Sequence, residues 1–232
     1  MPKRKRSSKK RVLSRKRKTF TRRRRRRLPR AFPKTMTTKL KYVETITMNA
    51  EANGAPVSHH FSANSIYDPN LSGGGHQPLG RDQYGLVYDH YTVIGSKMKV
   101  TFFSTRSEKQ SVTMWCGTCL QDTQNTLTSL SEILEQGNAN GGLLLTHDES
   151  GQQSGVHTQF YSPKKMFHMG KGSIVSNPRV CASMGGNPTE DAVYTLLVVQ
   201  PGGSSVDPNS ISALVEIEYI VTFSERKTLE QS

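Results

Sequence analysis

Cysteine is scarce in this chain of 232 residues: only Cys116, Cys119 and Cys181 occur. Three cannot build a disulfide framework, and an odd count suits a reducing compartment better than a secreted one. Trp115 is the only tryptophan. Long apolar runs are missing as well. None approaches the ~20 residues of a membrane span, so no membrane insertion is expected. The basic N-terminus has no apolar region behind it and does not read as a secretory signal. Acid is absent from one end altogether: the first Asp or Glu is Glu44.

Motifs for chemistry are missing too. Cys116-Gly-Thr-Cys119 has no second CxxC, and residues three apart on a strand face opposite sides, so Cys116 reads as core. The seven histidines are scattered, without HExxH spacing. His59 and His60 read as one inward and one outward residue of a strand. Gly170-Lys171-Gly172-Ser173 lacks the phosphate-loop spacing, and Gly73-Gly74-Gly75 reads as a loop. Trp115 reads as packing, with base stacking as the alternative. No catalytic residue, metal site or cofactor is expected, and the chain does not read as an enzyme.

What is present is charge of one sign at one end. Residues 1–34 hold 19 of the 32 Lys and Arg. The other 13 face 18 acidic residues, so residues 35–232 carry a net of −5. The basic residues are Lys3, Arg4, Lys5 and Arg6; Lys9, Lys10 and Arg11; Arg15, Lys16, Arg17 and Lys18; Arg22, Arg23, Arg24, Arg25, Arg26 and Arg27; then Arg30 and Lys34. Repulsion is strong and apolar area small, so 1–34 reads as a disordered arm in isolation. Guanidinium forks and ammonium groups bind phosphates, and each contact releases condensed counterions. The arm is expected to bind nucleic acid through its backbone, with Phe20 and Phe32 either stacking on bases or docking on the body. The early Lys-Arg clusters also fit a nuclear localisation signal. Lys39 and Lys41 extend the positive charge onto the first strand and are candidates for nucleic-acid contact.

From residue 35 onward, alternation dominates. In Ile211–Phe223 every odd residue is apolar, while Ser212, Glu216, Glu218 and Thr222 hold even positions. That is a half-buried strand. Lys39–Asn49, Lys97–Thr105 and Ser111–Leu120 read similarly. Ala192–Gln200 is nearly all apolar and β-branched and predicts a strand covered on both faces. Weaker strands are expected at Val57–Phe61, Gly142–Thr146 and Lys164–His168. One helix is expected: Ser129-Leu130-Ser131-Glu132 has capping-box spacing, Leu127, Leu130, Ile133 and Leu134 form a stripe, and Gly137 ends it. Asn70–Gly80, Asp148–Gly155, Gly185–Pro188 and Pro201–Pro208 read as loops. The expectation is an all-β, eight-stranded sandwich with long loops, one short helix and a basic arm.

The arm with Arg22–Arg27, the stretch Tyr91–Phe102, and the final strand Leu214–Phe223 with its charged tail from Ser224 together resemble the capsid proteins of circoviruses and related small circular Rep-encoding single-stranded DNA viruses. The resemblance implies an eight-stranded jelly roll, residues 35–232, in a T=1 icosahedral shell of 60 copies. The arm would lie inside on a circular single-stranded DNA genome, and the loops outside toward an unknown host cell-surface receptor. Sixty arms would carry about 1,100 positive charges inward, a sensible match to a small genome. Host nuclear import receptors would be further partners, and the virion and host nucleus the locations. The alternative is an RNA-binding, ribosomal-type protein with a basic tail, but such proteins usually carry positive charge over the folded part as well.

Overall fold

A computed structural model describes residues 32–50, 54–104, 113–146, 154–170, 172, 174–202 and 210–228. Nine strands lie among them: β1 Met36–Met48, β2 Val57–Ser62, β3 Tyr88–Ser104, β4 Thr113–Gln121, β5 Asn140–Thr146, β6 Ser154–Tyr161, β7 Cys181–Ser183, β8 Val193–Val199 and β9 Ile211–Arg226. Three short helices accompany them: α1 Arg81–Gly85, α2 Leu130–Glu135 and α3 Pro163–Met166.

The strands form two antiparallel sheets, ordered β1-β9-β3-β6 and β2-β8-β4-β5, with β7 added to β3. From β1 to β4 the chain crosses from one sheet to the other at each step, which is the wrapping of a jelly roll. The two rows of four make eight strands, the expected number, with β6 in place of the strand expected at Lys164–His168, and the three-residue β7 is the ninth. The odd residues of β9 from Ile211 to Phe223 are buried, Ile217 and Tyr219 completely, as the alternation requires. Tyr42, Met98, Val100 and Phe102 meet them from β1 and β3 in one core. Buried tyrosines thread it, and two of them anchor their hydroxyls on backbone: Tyr219 donates to the Ser62 carbonyl at 2.7 Å and Tyr194 to that of Ser96 at 3.0 Å.

β8 is buried at every residue, and the second cover is visible. Its Tyr194, Leu196 and Val198 face the core between the sheets, while Leu197 and Val199 join Trp115, Cys119, Leu127 and Ile133 beneath α2. Helix α2 therefore caps the outer face of this sheet. Its Ser129 Oγ accepts from the Glu132 N–H at 3.2 Å, as the capping spacing predicts. The Glu132 carboxylate instead reaches the N–H and hydroxyl of Thr128.

Several expectations need correction. Lys164–His168 is not a strand: Pro163 follows the extended Ser162 and opens α3, because its fixed φ suits a first helical residue and it has no N–H to give a ladder. The single expected helix is one of three. Gly137 does not cap α2 in the left-handed region; the helix ends at Glu135 because Gln136 turns to extended geometry. The end of the expected loop Asp148–Gly155 opens β6. Leu134 stands away from its stripe, 53 % exposed.

Candidate nucleic-acid interface

Lys3 to Arg30, with Phe20, lie outside the described residues, so their binding role stays an expectation. The described chain begins at Phe32. Its carbonyl accepts from Arg226 Nη1 at 3.4 Å, and the Pro33 carbonyl accepts from Tyr88 Oη at 3.1 Å. The backbone at the root of the arm is thus held where β9 ends and β3 begins. Lys34 is exposed there.

β1 leads directly from that root into the outward face of its sheet. Alternation puts Lys39 and Lys41 on this face, and the register brings β9 beside them. Lys39 Nζ meets Glu218 at 2.7 Å, and Lys41 Nζ meets Glu216 at 2.7 Å. From the other side β3 supplies Lys99, 3.6 Å from Glu216, and Lys97, paired in register with Glu218. The hydrogen bonds from Lys41 and Lys39 hold the Glu216 and Glu218 carboxyls below their ordinary range, with the neighbouring lysine charges adding to the effect. Four lysines thus flank two glutamates. The pairs are exposed and each is worth at most about 1 kcal/mol. They organise the face, while its charge stays positive.

The next strand outward is β6, and its polarity is inverted. His157 and Gln159 point in and are buried, while Val156 and Phe160 point out, 55 % and 64 % exposed. Gln159 Nε2 donates to the carbonyls of Thr118 at 3.0 Å and Asn138 at 3.1 Å, which satisfies it inside. Phe160 pairs in register with Lys97, whose Nζ lies 5.5 Å from the ring centroid. Beside Phe160 a cleft of about 560 Å³ runs between the end of β4, α2 and α3. The sequence reading missed Phe160, Lys97 and Lys99 as a group. Inward polar residues on β6 hide the usual apolar-in pattern; the available signal was the alternation Val156-Thr158-Phe160 itself.

Other candidates resolve simply. Cys116 faces the main core and Cys119 the cluster under α2, so the two thiols do not converge. Burial pushes them up to about 12 and about 11, which leaves both protonated near neutrality. Among the described residues no three His, Cys, Asp or Glu side chains gather as a metal site. Trp115 is 7 % exposed beneath α2, which removes it as a stacking surface for bases. His59 and His60 face opposite sides of β2, His59 beside Phe61 on the core side and His60 beside Thr195 on the other, and His60 is the more buried of the two.

No protein-family model matches the chain. No curated protein matches it. Solved structures do, viral capsid proteins among them. The decameric BFDV capsid protein is similar with a TM-score of 0.44 and 13 % identity, over 82 % of this chain and 99 % of that one. The 60-mer of the BFDV capsid protein gives 0.41 and 12 %, over 87 % and 100 %. A structure of Desmodium yellow mottle tymovirus gives 0.41 and 12 %, over 89 % and 96 %. At these TM-scores the likeness carries no argument; the all-β, two-sheet fold stands on the strand pairing itself. The functional reading rests on the chain's own charge and surfaces.

Proposed function

We propose that the chain is a viral coat protein whose jelly-roll body, residues 35–232, self-assembles into a T=1 shell of 60 copies, and whose arm, residues 1–34, packages circular single-stranded DNA. The observation that carries this reading is the division of charge on this fold: 19 basic residues precede the first acid, and the remainder is net negative. A globule of net −5 has little reason to bind a polyanion by itself, so the affinity belongs to the arm and the apolar contacts between copies to the body. The same division disfavours the ribosomal-type alternative. Lys3–Arg6 and Lys9–Lys18 would engage host nuclear import receptors, and exposed loops would meet the host receptor during attachment and entry. The virion and the host nucleus follow as its locations.

Sedimentation and negative-stain imaging of nuclease-treated full-length protein and of residues 35–232, across salt, test this reading. The truncated protein should form uniform empty shells at moderate salt. The full chain should assemble poorly until DNA is added or salt screens the arms, the screening length being ~3 Å at 1 M. Removing the arm should also flatten most of the salt dependence of DNA binding. A truncated protein that keeps the affinity and salt slope of the intact chain would sink the arm's role.

A further inference from the structure

The sheet face that follows the arm carries features its fold does not use. Val156 and Phe160 face out from a strand whose inward residues are polar, so exposure of the apolar side is not the by-product of a half-buried pattern. Phe160 is 64 % exposed with an ammonium over its ring. Lys97 and Lys99 lie on the adjacent strand, Lys97 directly across from Phe160 and Lys99 across from Thr158. Lys39 and Lys41 engage the two glutamates at 2.7 Å, whereas Lys99 stands at 3.6 Å from Glu216, so the β3 lysines are the less neutralised pair. The cleft beside Phe160 is also lined by Lys165, Gln136 and Asn138, which offer one cation and two amides. Asp122 and Glu132 lie on its walls as well, so it repels an anion and accepts a neutral group with hydrogen-bonding edges.

These features fit one ligand chemistry: a flat, neutral, hydrogen-bonding ring on a chain of phosphates. We propose that Phe160, Lys97, Lys99 and this cleft form a binding site for single-stranded nucleic acid on the body, with a base stacked on Phe160, its edge turned to the cleft amides, and the flanking phosphates on Lys97 and Lys99, outside the cleft. The proposal rests on the reading of the chain as a nucleic-acid packager and adds a second point of attachment to it. Aromatic stacking with flanking cations is how sequence-tolerant single-strand sites are built, and a duplex, whose bases are already stacked, cannot use it. The arm supplies attraction without geometry; this site holds nucleotides in place against the shell wall.

The test is binding of a fluorescent oligothymidine and of the same length of duplex to the full-length chain across salt. The variants are Phe160→Ala, Phe160→Trp and Lys97→Gln with Lys99→Gln. Stacking exchanges no counterions, so Phe160→Ala should weaken single-strand binding about fivefold or more at unchanged salt slope. Duplex binding should be unaffected. Phe160→Trp should keep the affinity, and its emission should be quenched by the oligonucleotide. The double lysine variant should lower the slope by about 1.4, since each phosphate contact on a single strand contributes about 0.7. Phe160→Ala that binds like the parent at every salt, with Phe160→Trp emission unmoved, overturns the site while leaving arm binding intact. Loss of shell sedimentation at unchanged oligonucleotide affinity overturns it by making the face a contact between copies. Absence of binding by the unaltered chain overturns the packaging reading along with it.

Discussion

Trp115 shows how a single residue sets its neighbours. The indole lies flat beneath α2 on a sheet that must bring strands within about 5 Å of each other. Gly117 and Gly142 make the slot: a Cβ on either would fall inside the ring. The requirement is room, since neither has a positive φ. Gly142→Ala should therefore displace the indole and cost about 1–3 kcal/mol, as overpacking does. Urea unfolding followed by tryptophan emission checks it: the midpoint should fall and the native emission shift toward that of exposed tryptophan. An unchanged midpoint would mean that the slot is not tight. The neighbouring Leu134, on the same helix, stands clear and should tolerate polar substitution.

At the scale of the element, β9 is the spine. It pairs with β1 along 13 residues and with β3 along most of its own length, so its inward face touches two strands at once. Ile217 is fully buried, opposite Tyr42 on one side and Met98 on the other. Ile217→Asp would bury a carboxylate with no counter-charge, at a cost above about 4 kcal/mol, comparable to the whole stability of a small domain. Soluble protein should disappear on expression, while Glu218→Gln on the outward face of the same strand should leave yield and melting temperature nearly unchanged. Equal yields of Ile217→Asp and the parent would contradict the register. β6 illustrates the opposite case, an edge strand that turns His157 and Gln159 inward, Gln159 donating to two carbonyls there, and Val156 and Phe160 outward.

For the whole molecule, pH should act through buried imidazoles. Burial lowers the His59, His60 and His157 values from the ordinary ~6.5, so the folded state holds these rings neutral while the unfolded chain takes up protons. The unfolded state binds more protons in this window, so stability rises with pH there. Stability should be level above about pH 7 and fall as pH drops through 6.5, by at most about 1.4 kcal/mol per pH unit for each histidine. Glu216 and Glu218, whose values are lowered, lose their contribution only as pH falls below the carboxylate range, so they do not confound this window. Thermal unfolding from pH 8 to pH 5 checks it. Substituting His157 by Gln should shallow the fall; a flat profile in the unaltered protein would show that the rings are solvated.

The sequence alone determined what depends on composition and on neighbours along the chain. The charge division is a count. The faces of β1, β3 and β9 follow from period-two alternation, and the N-cap of α2 from Ser129 and Glu132 three residues apart. Even the failure of Cys116 and Cys119 to converge follows from that alternation. Tertiary structure decided everything that depends on which strands become neighbours. Lys39 meets Glu218 across 179 positions of sequence, a register that no local pattern encodes. The burial of Trp115 required α2 to fold back over β4, and the meeting of Phe160 with Lys97 required β6 to pair with β3. Alternation specifies the side of a sheet on which a residue stands; the partner across the gap is fixed only when the whole core closes, because long-range pairing is selected by the apolar area that all strands bury together.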